Sequence, residues 1–172
     1  MPKLHDKIYH AIIWRQNRLA MKWLEINPVT MERGLYKGAI HPLHHAVRFR
    51  NYSFARMLLK RGIDINRVDG LGQSAIQDAT QRGQMGGIKW LIKNGADFEG
   101  EKDDLLLAAV RCCHLKIIQW LLDKGCDVNA VHEEDGQNPL QHCYEYCDEV
   151  EREKVEALLR ENGAEFPPGY DP

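Results

Sequence analysis

Of the eight thiol and imidazole side chains between positions 112 and 147, seven make up the candidate cluster: Cys112, Cys113, His114, Cys126, His142, Cys143 and Cys147. Cys143 and Cys147 are spaced i, i+4, so a helix would carry both on one face. A Cys or His from a neighbouring element could then complete a tetrahedral zinc site. The five cysteines of the chain are an odd number confined to this stretch, unlike a disulfide framework spread through a small secreted fold. Free thiols in a reducing compartment are the simpler reading. His44 and His45 with Asp64 offer acid–base groups. No phosphate-cradling glycine loop, serine nucleophile elbow or paired-carboxylate site stands out. What these groups can do depends on the elements that hold them.

Those elements repeat. Gly62-Ile63-Asp64-Ile65-Asn66 recurs as Gly95-Ala96-Asp97-Phe98-Glu99, Gly125-Cys126-Asp127-Val128-Asn129 and Gly163-Ala164-Glu165-Phe166, at intervals of 33, 30 and 38 residues. Each copy follows a short apolar segment, ending in Leu58-Leu59, Leu91-Ile92, Leu121-Leu122 and Leu158-Leu159. A second marker lies upstream: His41-Pro42-Leu43-His44-His45-Ala46, with weaker copies at Ser74–Ala79, Asp104–Ala109 and Asn138–Cys143. A polar residue followed by proline suits a helix N-cap and first turn, where the missing N–H has no intrahelical partner anyway. A glycine shortly after Leu-Leu suits a helix end in the left-handed conformation. Each unit is therefore helix, turn, helix and a return loop holding Asp64, Asp97 or Asp127. Such units cannot bury their apolar faces alone and must stack.

The two markers and their joint spacing resemble the ankyrin repeat family, whose unit is about 33 residues with a Thr-Pro-Leu-His-x-Ala signature and a Gly-Ala-Asp-x-Asn loop. The resemblance covers residues 38 to 166, and a degenerate first unit fits Ile8-Tyr9-His10-Ala11 and Trp23-Leu24. It implies an all-α fold: an ankyrin-type α-solenoid of about five stacked helix–turn–helix units, the first and last acting as caps. The expected organisation is one domain over 1–172, with units near 4–35, 36–68, 69–99, 100–130 and 131–168 and a tail at 167–172. The linker from Glu99 to Asp104 is three residues short, so its return finger should be truncated. Extra residues lie between the last two helices, around Tyr146 to Glu151. Gly86 and Gly87 sit where a second helix begins, a soft point at about 1 kcal/mol each relative to alanine. Trp90 and Trp120 occupy equivalent second-helix positions and should belong to the core between repeats.

The resemblance also reassigns the chemistry-bearing residues. Cys143 takes the small signature alanine position, Cys126 the alanine of Gly-Ala-Asp, and His114 the histidine that follows the first helix; His44 is the signature histidine, which serves loop hydrogen bonding. Cysteine in such places behaves as a small buried apolar residue. No metal, cofactor or catalytic residue is expected, and the chain is not read as an enzyme.

Partners of the family contact the return fingers and the concave face of the first helices. Carried over residue by residue, the concave positions are Ile13 and Trp14, Arg48 and Phe49, Gln81 and Arg82, Arg111 and Cys112, and Glu145 and Tyr146; finger positions include Leu35, Tyr36, Ile40, Leu71, Gln73, Asp103, Glu134, Asp135 and Gln137. Arg48, Arg82 and Arg111 fall in three neighbouring repeats, with Trp14, Phe49 and Tyr146 as aromatic companions. Arginine and aromatic anchors combine contact area with directional hydrogen bonds. The expected ligand is an acidic segment of another protein.

Composition agrees with a binding module. The hydrophobic fraction is 44% and the charged fraction 28%, and no apolar run approaches the length of a membrane span. The polar N-terminal residues do not resemble a secretory signal, so a cytoplasmic location is expected, including a host cytosol for an effector of a pathogen. Residues 1 to 100 hold 16 Lys and Arg against 8 Asp and Glu, and residues 101 to 172 hold 7 against 17. That asymmetry can orient a charged partner during encounter. The acidic run Glu149 to Glu156 reads as a solvated helix face. The net charge of -2 and the absence of a nucleic-acid motif argue against nucleic acid, and no membrane partner is expected. The function expected is that of a monomeric protein-interaction module: adaptor, inhibitor or effector. The alternative is a metal- or thiol-dependent regulatory protein using the cysteine-rich C-terminal repeats.

Overall fold

Several helices in this protein start where the sequence supplies a side-chain acceptor. The computed structural model describes residues 4–26, 40–132 and 135–170, apart from the side chain of His5. Among them are ten helices: α1 (Leu4–Ile13), α2 (Asn17–Ile26), α3 (Pro42–Arg48), α4 (Tyr52–Lys60), α5 (Ala75–Gln81), α6 (Met85–Lys93), α7 (Phe98–Arg111), α8 (Leu115–Asp123), α9 (Pro139–Tyr146) and α10 (Glu149–Glu161). His41 Nδ1 accepts from the Leu43 N–H at 3.2 Å, with Pro42 in the first helical position of α3. Asn138 and Gln141 form a reciprocal capping box ahead of α9, again with proline first. Ser74 and Gln77 exchange the same pair of bonds ahead of α5. The polar residue of the signature thus acts as a helix start in each of these repeats.

The other ends are set by backbone conformation. Gly62, Gly95, Gly125 and Gly163 all have positive φ, between 80° and 98°, and each follows the second helix of its repeat. Any other residue there would be strained by its Cβ. A second left-handed position recurs between the two helices of a repeat, at Arg15, Arg50, Gly83 and Cys113. In the last repeat the corresponding chain instead runs through Cys147 in an extended conformation to the N-cap Asp148. The extra residues expected between these helices are not found there: only Cys147 and Asp148 connect them, and the added length lies in α10, 13 residues against 9 in α4, α6 and α8.

The chain divides into two compact units, one formed by Met1–Ala79 with Gly86–Ala96 and the other by Thr80–Met85 with Asp97–Pro172. In the first, α1 packs on α2, α3 on α4, and α1 on α3. Its core contains Ile8, Ile12, Leu24, Leu43, Phe54, Leu58, Ile76, Ile88 and Leu91, all within 1% of full burial. In the second, α7 packs on α8 and α9, and α10 on α8 and α9. Leu105, Leu106, Ile118, Leu121, Leu140, Val155 and Leu159 close that core. Pairs of helices bury together what neither buries alone, as expected of stacked repeats.

Two expectations need correction. The finger after Ala96 is not a shortened loop but helix: α7 runs unbroken from Phe98. Asp97, expected in the return loop, is its N-cap and accepts from the Gly100 N–H at 2.9 Å. A Cβ on Gly100 would lie 2.6 Å from Asp97 Oδ2, so the glycine makes this tight cap possible. Nor is the acidic run of α10 wholly solvated, because Glu156 accepts from the Tyr144 hydroxyl at 2.9 Å and from Arg160 Nε at 2.7 Å. Gly86 and Gly87 fall in the first turn of α6, where the backbone N–H groups lack intrahelical partners in any case.

Candidate functional site

In the first compact unit, Trp14 follows the end of α1 and is 73% exposed, the largest exposed apolar side chain described. Phe49, at the end of α3, is half-buried against His45, with ring centroids 6.2 Å apart and nearly parallel, and against the edge of Tyr9 at 5.5 Å. Arg48 donates to Asp78 Oδ1 at 2.7 Å, with 17% and 9% of the two side chains exposed. Its charge is therefore balanced within the fold. In the finger ahead of α5, Asp69 accepts from the Leu71 and Gln73 backbone N–H groups, and the Asp69 N–H donates to the Gln73 carbonyl. The loop so tied presents Leu71 at 68% exposure. His44 Nε2 donates to the same Gln73 carbonyl at 2.9 Å, the loop bond expected of the signature histidine. Burial pushes the His44 pKa down, which favours the neutral ring.

In the second unit, Arg82 and Cys112 are exposed, and Gln81 is half-buried with its carbonyl accepting from His114 Nε2 at 2.9 Å. The Arg111 guanidinium lies 4.6 Å from the centroid of the Tyr146 ring, a cation–π contact, and Tyr146 stacks on His142 at 5.5 Å. Tyr146 keeps 44% exposure. A hydrogen bond with the neighbouring Glu145 carboxylate pushes the Tyr146 phenol up. Ile13 and Ile40 are half-buried. Leu35, Tyr36 and Glu134 lie outside the described residues.

Trp90 and Trp120 are half-buried rather than fully enclosed. Trp90 stacks on Tyr52 of the preceding repeat at 5.3 Å, and Trp120 meets Phe98 at 5.6 Å. The cysteines divide by environment. Cys112 is exposed; Cys126, Cys143 and Cys147 are buried. Burial pushes the thiols of Cys143 and Cys147 up to about 11 and that of Cys126 up to about 12, so they are protonated and poor nucleophiles near neutrality. Cys113 Sγ lies 2.6 Å from Cys147 Sγ, and Cys147 reaches the Val110 carbonyl at 3.4 Å.

One recurrent tie was not anticipated from the sequence. Asn51 is fully buried; its Nδ2 donates to the Ile12 carbonyl and to Asn17 Oδ1, each at 2.8 Å, while its Oδ1 caps α4 by accepting from the Phe54 N–H. His114 to Gln81 and Cys147 to Val110 repeat the contact, each reaching the last turn of the preceding repeat's first helix. A polar residue after the left-handed position, at Asn51, Gln84 and His114, was the available signal.

The model for Ankyrin repeats (3 copies) matches residues 10–102, 43–132 and 76–168. The chain is similar to the inactive serine/threonine-protein kinase TEX14 of Bos taurus, 34% identical over 102 residues, which is 56% of this chain and 7% of that protein. It is similar to Ankyrin repeat and SOCS box protein 6 of Pongo abelii, 33% identical over 119 residues, 64% of this chain and 28% of the relative. B-cell lymphoma 3 protein of Homo sapiens is 32% identical over 111 residues, 60% of this chain and 24% of its own length. In each case the chain spans well under a third of the relative. Ankyrin repeats are in general non-enzymatic protein–protein interaction modules, and no helix among the described residues is long and apolar enough to cross a membrane. Overlapping family matches across nearly the whole length, on helix pairs closed by the same glycine and capped by the same signature, place this chain in the ankyrin repeat family.

Proposed function

We propose that the chain acts by occupying a partner protein's surface through Trp14, Phe49, Leu71 and Gln73 in the first compact unit and through Gln81, Arg82, Arg111, Cys112, Glu145 and Tyr146 in the second, with Arg48 positioned beside the first set. The observation that carries this reading is where apolar surface remains uncovered. Trp14 at 73%, Leu71 at 68% and Tyr146 at 44% stand at the concave and finger positions that the family uses, although each could have been polar at no cost to the core. Tryptophan, tyrosine and arginine are the types that dominate binding energy when a partner desolvates them.

The ligand class that best suits the second set is an acidic segment. Arg111 is exposed and held over an aromatic ring, so its fork of donors is oriented before a carboxylate arrives. Whether such a partner is inhibited, recruited or scaffolded follows from its own identity. The test is a photo-cross-linking residue placed singly at Trp14, Leu71 or Tyr146, with Lys89 and Glu153 as exposed controls elsewhere on the helices. A protein cross-linked from the three positions, not from the controls, and weakened by Arg111→Ala in direct titration supports the reading. Equal capture at the control positions would overturn it.

A further inference from the structure

We propose that His132, Asp135 and His142 form a binding site for a divalent transition metal ion of the zinc type, in the return finger that leads into α9. The site uses none of the partner-binding residues proposed above, although His142 stacks on Tyr146. It also differs from a cysteine site, since no thiol takes part.

The finger is built so that the three groups converge. The His132 N–H donates to the Gln137 carbonyl at 2.9 Å and the Gly136 N–H to the His132 carbonyl at 2.9 Å, which closes the loop back on itself. Asp135 Oδ1 accepts from the Gln137 N–H at 3.1 Å, fixing the carboxylate over the loop. His142 projects from the first turn of α9, whose start is held by Pro139 and by the Asn138–Gln141 capping box. One ligand atom from each side chain lies within 4.8 Å of the other two.

The spacings come close to those of a tetrahedral ion. Donors bound at about 2.0–2.2 Å to a tetrahedral Zn²⁺ stand about 3.4 Å apart. Asp135 stands between the two imidazoles, one carboxylate oxygen 3.3 Å from His132 Nδ1 and the other 3.5 Å from His142 Nε2, so a turn of the exposed carboxylate is needed to offer one oxygen to an ion shared with both rings. Both distances are longer than an ordinary N–H···O hydrogen bond. The two imidazole donors lie within 4.8 Å of each other, and the half-buried His132 ring must turn to shorten that edge.

A second observation points to a ligand. The side chain of His142 is 1% exposed, and neither of its ring nitrogens has a hydrogen-bond partner; nor does His132 Nδ1. A buried imidazole with both nitrogens unsatisfied is destabilising unless something fills the gap. A metal ion at Nε2 would satisfy one of the two. The imidazole needs only to be neutral to bind it, while the Asp135 carboxylate supplies charge. His132 also lines a cleft of about 500 Å³ with Glu99, Asp103 and Asp104, an acidic approach that concentrates cations.

The experiment uses the full chain, stripped with chelator and titrated with Zn²⁺ and with Co²⁺ by calorimetry and absorption. One ion per chain is expected, with a cobalt visible spectrum of tetrahedral type and no near-ultraviolet thiolate band. Asp135→Asn, at an exposed position that should not disturb folding, and His142→Asn should each weaken binding by about 100-fold or more. Cys113→Ser with Cys147→Ser should leave it unchanged. No stoichiometric binding by the wild type, a thiolate-to-cobalt band, or undiminished binding by Asp135→Asn would each overturn the site.

Discussion

Replacing Asn51 by alanine should destabilise the protein by about 3 kcal/mol, more than its location at a turn would suggest. Its side chain is fully buried and serves four bonds: it donates to the Ile12 carbonyl and Asn17 Oδ1, and accepts from the Phe54 N–H and the Ser53 hydroxyl. Loss of the N-cap alone costs about 1 kcal/mol. The Ile12 carbonyl then loses a buried donor, at about 1–3 kcal/mol, with a smaller term for Asn17, which is half-buried and can turn toward water. The sum is about 2–4 kcal/mol. For a chain of this size that corresponds to a fall in Tm of roughly 6–12 °C.

Asn51→Asp separates the two roles. The carboxylate keeps the cap but faces two oxygens where the amide donated, so the loss should exceed that of alanine at pH 7. Burial among acceptors raises the folded pKa of the introduced acid, so the deficit should shrink as pH falls below that value and the protonated group donates again. Asn51→His should do better than either, because His114 makes the corresponding bond to the Gln81 carbonyl. Urea unfolding followed by far-ultraviolet circular dichroism reads all three. An Asn51→Ala variant within 0.5 kcal/mol of wild type would refute the assignment of this tie as a main fastening between the first two repeats.

Further expectations follow from single environments. Burial lowers the His44 pKa, so its contribution is fully present above the unfolded value of about 6.5 and is lost as pH falls toward the folded pKa. Urea stability measured between pH 7.5 and 5.5 should drop on that side, and His44→Gln should flatten the slope. Iodoacetamide should alkylate the exposed Cys112 well before Cys126, Cys143 and Cys147, whose thiols stand at about 12, 11 and 11; peptide mapping over time gives the order, and early loss of a buried thiol would contradict the packing. Arg50, exposed at φ 53°, carries the left-handed cost of about 1–2 kcal/mol that glycine avoids. Arg50→Gly should therefore gain about 0.5 kcal/mol after the extra unfolded-state entropy of glycine; a loss in the urea midpoint would show that the arginine side chain is doing more than solvating the turn.

Much of the fold was legible because each repeat announces its own boundaries. His41-Pro42 and Asn138-Pro139 cap helices, and Gly62, Gly95, Gly125 and Gly163 end them, through contacts local in sequence. The α7 start was not legible, since the Gly-Ala-Asp motif usually opens a loop; here Gly100 lets Asp97 cap a helix instead. The aromatic and apolar candidates Trp14 and Leu71 are exposed as their repeat positions implied. The His132–Asp135–His142 cluster was hidden because two of its members are finger residues, whose side-chain directions depend on how the loop closes. His142 is close in sequence to Cys143 and Cys147, but its ring faces His132 and Tyr146 rather than a thiol.

The repeat register explains why Arg48 and Arg111 should not behave alike. Arg48 reaches forward to Asp78, which occupies the variable signature position of the next repeat, and both are mostly buried. Arg111 occupies the position of Arg48 in its own repeat, but the variable residue ahead of it is His142, which offers no carboxylate. Its guanidinium lies over Tyr146 instead and remains exposed. Arg48→Ala should therefore act mainly on stability: removing one member of a buried pair costs about 2–4 kcal/mol, with Asp78 retaining further interactions. Arg111→Ala should leave stability within about 0.5 kcal/mol, because a rim cation over an exposed ring contributes little to folding, yet it should weaken an acidic partner. Measuring urea stability and partner affinity on the same two variants separates the roles. If Arg48→Ala lowered affinity without lowering stability, the ion pair with Asp78 would be a resting state that the partner displaces, and the recognition surface would extend to the first compact unit's own salt bridge.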